Sequence, residues 1–298
     1  MNEMSSDLFE LINEKYAKMS KGHKAIATYI LEHYDKAAFL TALKFGQTVG
    51  VSESTVVRFA TELGYDGYPS LQNALQDMMR SKLTAVQRIE VTSDQLGGDD
   101  RVLEKVLNSD IDKIRRTLEG ISKSDFDMAV DKIANCHTIY IIGARSSASI
   151  AQFLMYYFNL IFPQVKLVRA STRSELFEQI LRIDEKDVMI GMSFPRYSRQ
   201  TVLALQYAHS RGANVVAITD CQSSPLTKYA DQTLYAKSDM ASFVDSLVAP
   251  LSLINALIVA VSSKNKDKVS SNFERLEQIW KEYEVYEPAQ LEDVKNEK

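Results

Sequence analysis

The 298-residue chain is 45% hydrophobic and 25% charged, an ordinary globular composition with length enough for two domains. Its two cysteines, Cys136 and Cys221, exclude a disulfide framework and a cysteine-based zinc site, and fit a reducing cytoplasm. The net charge of −4 excludes the chain-wide basic surface that many nucleic-acid-binding proteins carry.

The opening MNEMSSDLFE is acidic and polar, without a signal-peptide pattern. Helical periodicity then dominates the first eighty residues. Leu8, Leu11, Ile12 and Tyr16 mark one stripe. Ser20 is placed to cap a second helix with Ala25, Ile26, Tyr29 and Ile30 on its apolar face, and Phe39 and Leu40 close a short third one. Two further short helices are split at Gly50. Tyr65–Ser70 reads as a turn, and Leu71–Met79 as another helix.

The window from Ala42 to Thr61 has the pattern of a helix-turn-helix. Phe45, Val49, Val51, Val56 and Phe59 fall where two crossing helices need apolar contacts. Gly46 occupies the point of closest approach. Gly50 occupies the turn, where a positive φ is needed. Ser52 can cap the second helix. That helix would lead into the major groove with Glu53, Ser54, Thr55 and Arg58 exposed. Arg58 suits guanine, while Ser52 and Ser54 suit phosphate. Residues 1–80 hold eight Lys or Arg against ten Asp or Glu. Phosphate contacts therefore have to come from a local face using Lys21, Lys24, Lys44 and Arg58, with dimerisation building the affinity. An ordinary helical hairpin, in an adaptor that binds protein, is the competing reading.

A polar, charge-mixed stretch from 81 to 100 contains Gly97-Gly98-Asp99-Asp100 and reads as a linker. It divides an N-terminal domain (1–80) from a second one (101–298). Beyond it a helix is expected over Arg101–Leu118. Strands are then expected at Thr138–Ile142, Val165–Val168, Val188–Met192, Val215–Thr219 and Gln232–Tyr235. Intervening helical patterns argue for βαβ units and a parallel sheet. Long helices over Phe243–Ser263 and Lys268–Tyr283 end the chain. The first of these is too interrupted by Asp245, Pro250 and Asn255 to span a membrane.

Ligands of open parallel sheets bind outside the carboxyl ends of the strands. There the sequence places Arg145-Ser146-Ser147, Arg169 and Arg173, Ser193 with Arg196, Ser198 and Arg199, and Ser224. Five arginines among hydroxyls suit an anion. Ser147 and Ser198 fall at helix starts, where capping and phosphate binding are alternative roles. Glu175, Glu178 and His209 are candidates by residue type for the base of an isomerase.

The segments MSKGHKAIATYILEH and GVSESTVVRFATELGYDGYPSLQ resemble the RpiR/MurR-type transcriptional regulators. IYIIGARSSASIA, DVMIGMSFPRYSRQT and GANVVAITDCQSSPLTKYAD resemble their sugar isomerase (SIS) domain. The resemblance implies an all-α helix-turn-helix domain followed by a three-layer α/β SIS domain with a flavodoxin-like, five-stranded parallel sheet. It also implies a cytoplasmic homodimer or homotetramer that binds a double-stranded DNA operator. Phosphorylated sugars would be sensed and carbohydrate catabolism genes controlled, with no cofactor, metal or catalytic set. The ligand positions it implies are Ser146, Ser147, Ser193, Ser198 (in place of a threonine) and Ser224. Two departures add charge. Pro195 and Arg196 replace a serine and a glycine, and Arg145 stands where a glycine is common. They point to an effector more acidic than a plain hexose monophosphate, such as a sugar acid phosphate. A phosphosugar isomerase on the same fold is the alternative.

Overall fold

In the computed structural model, residues 8–82, 84, 86, 88–89, 101–239 and 244–286 are described. Among the described residues six helices form the N-terminal unit: α1 (Leu8–Tyr16), α2 (Lys21–Glu32), α3 (Tyr34–Ala37), α4 (Ala42–Val49), α5 (Glu53–Glu62) and α6 (Gly67–Lys82). Their apolar stripes meet in one core around Ile12, Ile26, Ile30, Phe45, Phe59 and Leu71. The expected turn at Tyr65–Ser70 is shorter than its composition suggests, because α6 already starts at Gly67. Pro69 lies in the first turn of that helix, where no backbone donor is required. The linker expected at 81–100 falls largely outside the described residues.

The second unit runs α7 (Val102–Gly120), α8 (Lys123–Ala134), β1 (Ile139–Gly143), α9 (Ser147–Ile161), β2 (Val165–Val168), α10 (Arg173–Ile180), β3 (Val188–Met192), α11 (Arg199–Ser210), β4 (Asn214–Thr219), a 3-10 turn at Thr227–Tyr229, β5 (Gln232–Tyr235), α12 (Val248–Lys264) and α13 (Lys266–Glu282). Helix α12 starts after the expected Phe243, which lies outside the described residues. All four strand pairings are parallel, in the order β2-β1-β3-β4-β5. The central strands β1, β3 and β4 read as near-continuous apolar runs because both faces are covered. On one face α8, α9 and α12 pack through residues such as Val130, Leu154, Phe158 and Leu257. On the other, α10 and α11 pack through Leu176, Ile180, Leu205 and Ala208. The result is the expected three-layer, flavodoxin-like α/β arrangement.

Close backbone approach fixes how α4 and α5 cross. A Cβ on Gly46 would lie 2.6 Å from the Val51 carbonyl oxygen, so the two helices meet at this distance only with glycine there. Among the described residues no single helix is long and apolar enough to cross a membrane. The apolar helix α12 is instead buried in the core, packed against α7, α8 and α9.

Candidate functional site

The strand order reverses between β1 and β3, since the chain passes from β1 to β2 on one side and resumes on the other. Ligands of doubly wound sheets collect in this crevice. A cavity of about 400 Å³ lies there, lined by the loops after β1 and β3. It gathers six of the sequence-predicted ligand residues: Arg145, Ser146, Ser147, Ser193, Arg196 and Ser198.

Local structure explains how the two loops come together. A Cβ on Gly143, the last residue of β1, would lie 2.5 Å from the Ser147 carbonyl oxygen. Glycine there lets the first turn of α9 sit directly on the strand end. Ser146 is the N-cap of α9, and its side chain makes no capping bond. Ser147 is 3% exposed. In the second loop, the Ser193 hydroxyl accepts from the Ser198 N–H at 2.9 Å, and the Ser198 hydroxyl accepts from the Thr201 N–H at 3.4 Å as N-cap of α11. Two helix N-termini thus face one cavity, each presenting the positive end of its dipole.

The Tyr197 hydroxyl donates to Asp220 at 2.8 Å and ties the β3 loop to the end of β4. Burial, and then the neighbouring Asp220 carboxylate, push its pKa up, so it stays a neutral donor. Tyr197 sits between Arg196 and Ser198, so the tether fixes a point of the loop that carries both.

Arg145 has φ 57° and Arg196 has φ 67°, both in the left-handed region. Among the described residues the one other non-glycine with positive φ is Glu284. An L-residue held there costs about 1–3 kcal/mol. The glycine-like backbone of these two loops is therefore retained while a guanidinium is added to each.

The remaining predicted ligand residues do not reach the cavity. The Ser224 hydroxyl is buried, accepting from Thr219 Oγ1 at 2.7 Å and the Leu226 N–H at 3.4 Å. Arg173 opens α10 and is exposed, away from the cavity lining. Arg169 donates to Gln152 at 2.6 Å, and Arg199 is an exposed first residue of α11. Strand β2 is the outer neighbour of β1, so its loop emerges on the far side of the β1 loop from β3.

Two charged lining residues were not predicted. Arg88, in the expected linker, is 3% exposed, and its Nη1 donates to Asp245 Oδ1 at 2.6 Å. No local pattern marks them, because they lie 157 residues apart. Among the described residues the cavity thus holds three guanidinium groups against one carboxylate.

The candidate bases are placed elsewhere. Glu175 accepts from the Ser171 N–H at 2.7 Å and Glu178 from the Ser174 hydroxyl at 2.8 Å, both within the α10 region. His209 lies in the last turn of α11, and His137 lines a groove at the opposite end of the sheet. Among the described residues, no group of three or more His, Cys, Asp or Glu could hold a metal ion.

In the N-terminal unit α4 ends on Gly50 in the left-handed conformation, with φ 74°. Helix α5 then starts from Ser52, whose hydroxyl accepts from the Thr55 N–H at 3.3 Å and lies 2.9 Å from that of Ser54. Phe45, Val56 and Phe59 are fully buried between the two helices. Lys44, Ser52, Glu53, Ser54 and Arg58 are exposed, and Thr55 is half-buried. Arg58 Nε donates to the Ser54 carbonyl at 3.3 Å, which folds its side chain along α5. Sequence reading did not find the neighbouring crevice, where Ser20, Gly22 and His23 of the α2 start join Ser52, Thr55 and Arg58. His23 Nδ1 lies 2.6 Å from Glu62 at the other end of α5.

Comparison with known proteins agrees with both halves. Residues 6–82 match the family model of the rpiR-family helix-turn-helix domain, and residues 132–260 match that of the SIS domain. An HTH-type transcriptional regulator of Caldanaerobacter subterraneus is 24% identical over 278 residues, covering 92% of this chain and 97% of that one. Another, from Escherichia coli, is 26% identical over 227 residues, covering 75% and 79%. The sugar isomerase domain of an RpiR transcription factor from Sphaerobacter thermophilus superposes with TM-score 0.58 at 25% identity, covering 60% of this chain and 99% of that one. The NanR protein of Vibrio vulnificus, solved with ManNAc-6P, shares the fold with TM-score 0.56 at 22% identity, covering 92% and 99%. The helix-turn-helix built on Gly46 and Gly50, followed by the SIS sheet with its switch-point cavity, places this chain in the RpiR family of transcriptional regulators.

Proposed function

We propose that this regulator binds a phosphorylated sugar acid, or a related acidic phosphosugar, in the β1–β3 cavity and couples its occupancy to operator binding. The observation that carries this reading is the pair Arg145 and Arg196, each held at positive φ and each lining the cavity. The serines and the two helix N-termini suffice to receive a phosphate. The added guanidinium groups suit a further negative group, which each can meet as a two-pronged fork. The NanR protein, of the same fold, is complexed with ManNAc-6P. In this reading Arg145, Ser146, Ser147, Ser193, Arg196 and Ser198 hold the effector, and Arg173 and Ser224 act outside the contact shell.

The site binds without turnover, because Asp245, the one carboxylate lining the cavity among the described residues, is engaged by Arg88. DNA is read by α5, with Arg58 on a base edge and Ser52, Glu53, Ser54, Thr55 and Lys44 around it. Residues 1–80 form the DNA-binding domain, 81–100 the connection and 101–298 the sensing domain, working in the cytoplasm. Association of copies is supported by α7, where Leu103, Leu107, Ile111, Ile114 and Leu118 form an exposed apolar stripe at three- and four-residue spacing. Helix α12, by contrast, buries most of its apolar residues in the core it shares with α8, α9 and the sheet.

Calorimetry with gluconate 6-phosphate, glucose 6-phosphate and glucose tests the reading, since the three differ stepwise in charge. Affinity is expected to fall in that order. Equal affinity for the first two refutes the acidic preference, and equal affinity for glucose refutes the anion site.

A further inference from the structure

Arg88 stands apart from the other residues of the cavity. They come from the sheet loops of the sensing domain or from the strap before α12. Arg88 comes from the stretch that joins this domain to the helix-turn-helix, six residues beyond the end of α6 at Lys82. Its backbone N–H bonds the Thr84 carbonyl at 3.0 Å, a helical spacing. A lone arginine in a polar connecting stretch ordinarily stays in water. This one is 3% exposed and lines the same cavity as Arg145 and Arg196.

Its partner Asp245 is a fixed point. The next residue, Ser246, donates its hydroxyl to Asp110 Oδ1 of α7 at 2.6 Å. That same oxygen takes the buried Lys113 ammonium at 3.3 Å. The Ser246 carbonyl in turn accepts from the Ser238 hydroxyl at 2.9 Å. Asp245 is therefore anchored to the sensing domain, while Arg88 belongs to the connection. A guanidinium has five donors, and the 2.6 Å contact with Asp245 uses Nη1. An anion in the cavity would be a further acceptor for the same guanidinium.

We infer that Arg88 is an anion-binding residue of the effector site, supplied by the interdomain connection, and that it makes occupancy of the cavity felt by the DNA-binding domain. This rests on the reading of the cavity as an anion site. A bound phosphate or carboxylate adds an attraction between the sensing domain and the connection that the empty cavity lacks. Asp245 holds the guanidinium in place, but its charge opposes the incoming anion. Coupling of this kind is reciprocal, so one residue sets both the anion affinity and the response of operator binding.

The test uses the full chain with gluconate 6-phosphate as probe. Arg88→Gln keeps a donor for Asp245 and removes the charge. It is expected to lower probe affinity at least tenfold, and to reduce the ratio of operator affinities with and without probe to below twofold. Asp245→Asn keeps an acceptor for Arg88 and removes the opposing charge. It is expected to tighten probe binding several-fold, and it serves if Arg88→Gln does not fold. Probe affinity within twofold of wild type in Arg88→Gln, an intact operator response in that variant, or no tightening in Asp245→Asn overturns the inference. The double variant Arg145→Ala with Arg196→Ala separates the two readings. If it abolishes binding while Arg88→Gln does not, the role of Arg88 falls and the site stands. If neither affects binding, or the wild type binds no probe, both fall.

Discussion

Replacing Arg145 and Arg196 by glycine should make the protein more stable and a poorer sensor, while alanine should only make it a poorer sensor. Both arginines sit at positive φ, 57° and 67°. A left-handed backbone costs an L-residue roughly 1–2 kcal/mol, and alanine keeps that cost because it keeps the Cβ. Glycine removes it but gives back about 0.5–1 kcal/mol through the greater freedom of the unfolded chain. The net gain is about 0.5–1 kcal/mol per position. For a domain of this size 1 kcal/mol moves Tm by about 2–4 °C. The double glycine variant should therefore melt a few degrees above the double alanine variant, by calorimetry or circular dichroism. Charge is lost equally in both, so repulsion between the two guanidinium groups cancels in that difference. A charge-assisted hydrogen bond is worth about 1.5–3 kcal/mol, so each single variant should lose roughly 10- to 150-fold in affinity for gluconate 6-phosphate. Glycine variants that melt at or below the alanine variants refute the backbone argument. Affinity unchanged in all of them refutes the site.

Gly46→Ala should destabilise the N-terminal unit by roughly 1–3 kcal/mol, the usual cost of overpacking, despite the better helix propensity of alanine. The added Cβ would lie 2.6 Å from the Val51 carbonyl, and backbone on both sides cannot yield cheaply. A Tm at or above wild type would show that α4 and α5 do not cross this closely. Arg58→Ala should weaken operator binding by about 1–3 kcal/mol and relax preference at one base pair, whereas Lys44→Ala should weaken all sequences alike and lower the salt slope by about one. Mobility-shift titrations at several salt concentrations distinguish them. Equal losses on operator and random DNA for Arg58→Ala would remove it from base reading.

Elements whose periodicity reflects burial were legible from residue order. The central strands β1, β3 and β4 are near-continuous apolar runs because α helices cover both faces, and all five strands were located within one residue at either end. Gly46, Gly50 and Ser52 were legible because each meets a local backbone demand within a twenty-residue window. The site was legible only in part. Ser146, Ser147, Ser193, Arg196 and Ser198 follow β1 and β3, and the parallel-sheet rule says where strand ends lead. That rule does not say which ends are neighbours. Sheet order decided that Arg169 and Arg173 lie beyond β1, and packing decided that Ser224 is spent on Thr219. The sequence by itself therefore determined a helix-turn-helix, a parallel α/β domain and an excess of positive charge at one sheet edge. Tertiary structure alone decided that the charge converges on a single cavity, that two of its arginines hold a backbone glycine would prefer, and that Arg88 joins them. The physical reason is range. Caps, turns and periodicity are settled by residues a few positions apart, while the pairing of Arg88 with Asp245 spans 157 positions and exists only once the chain has folded.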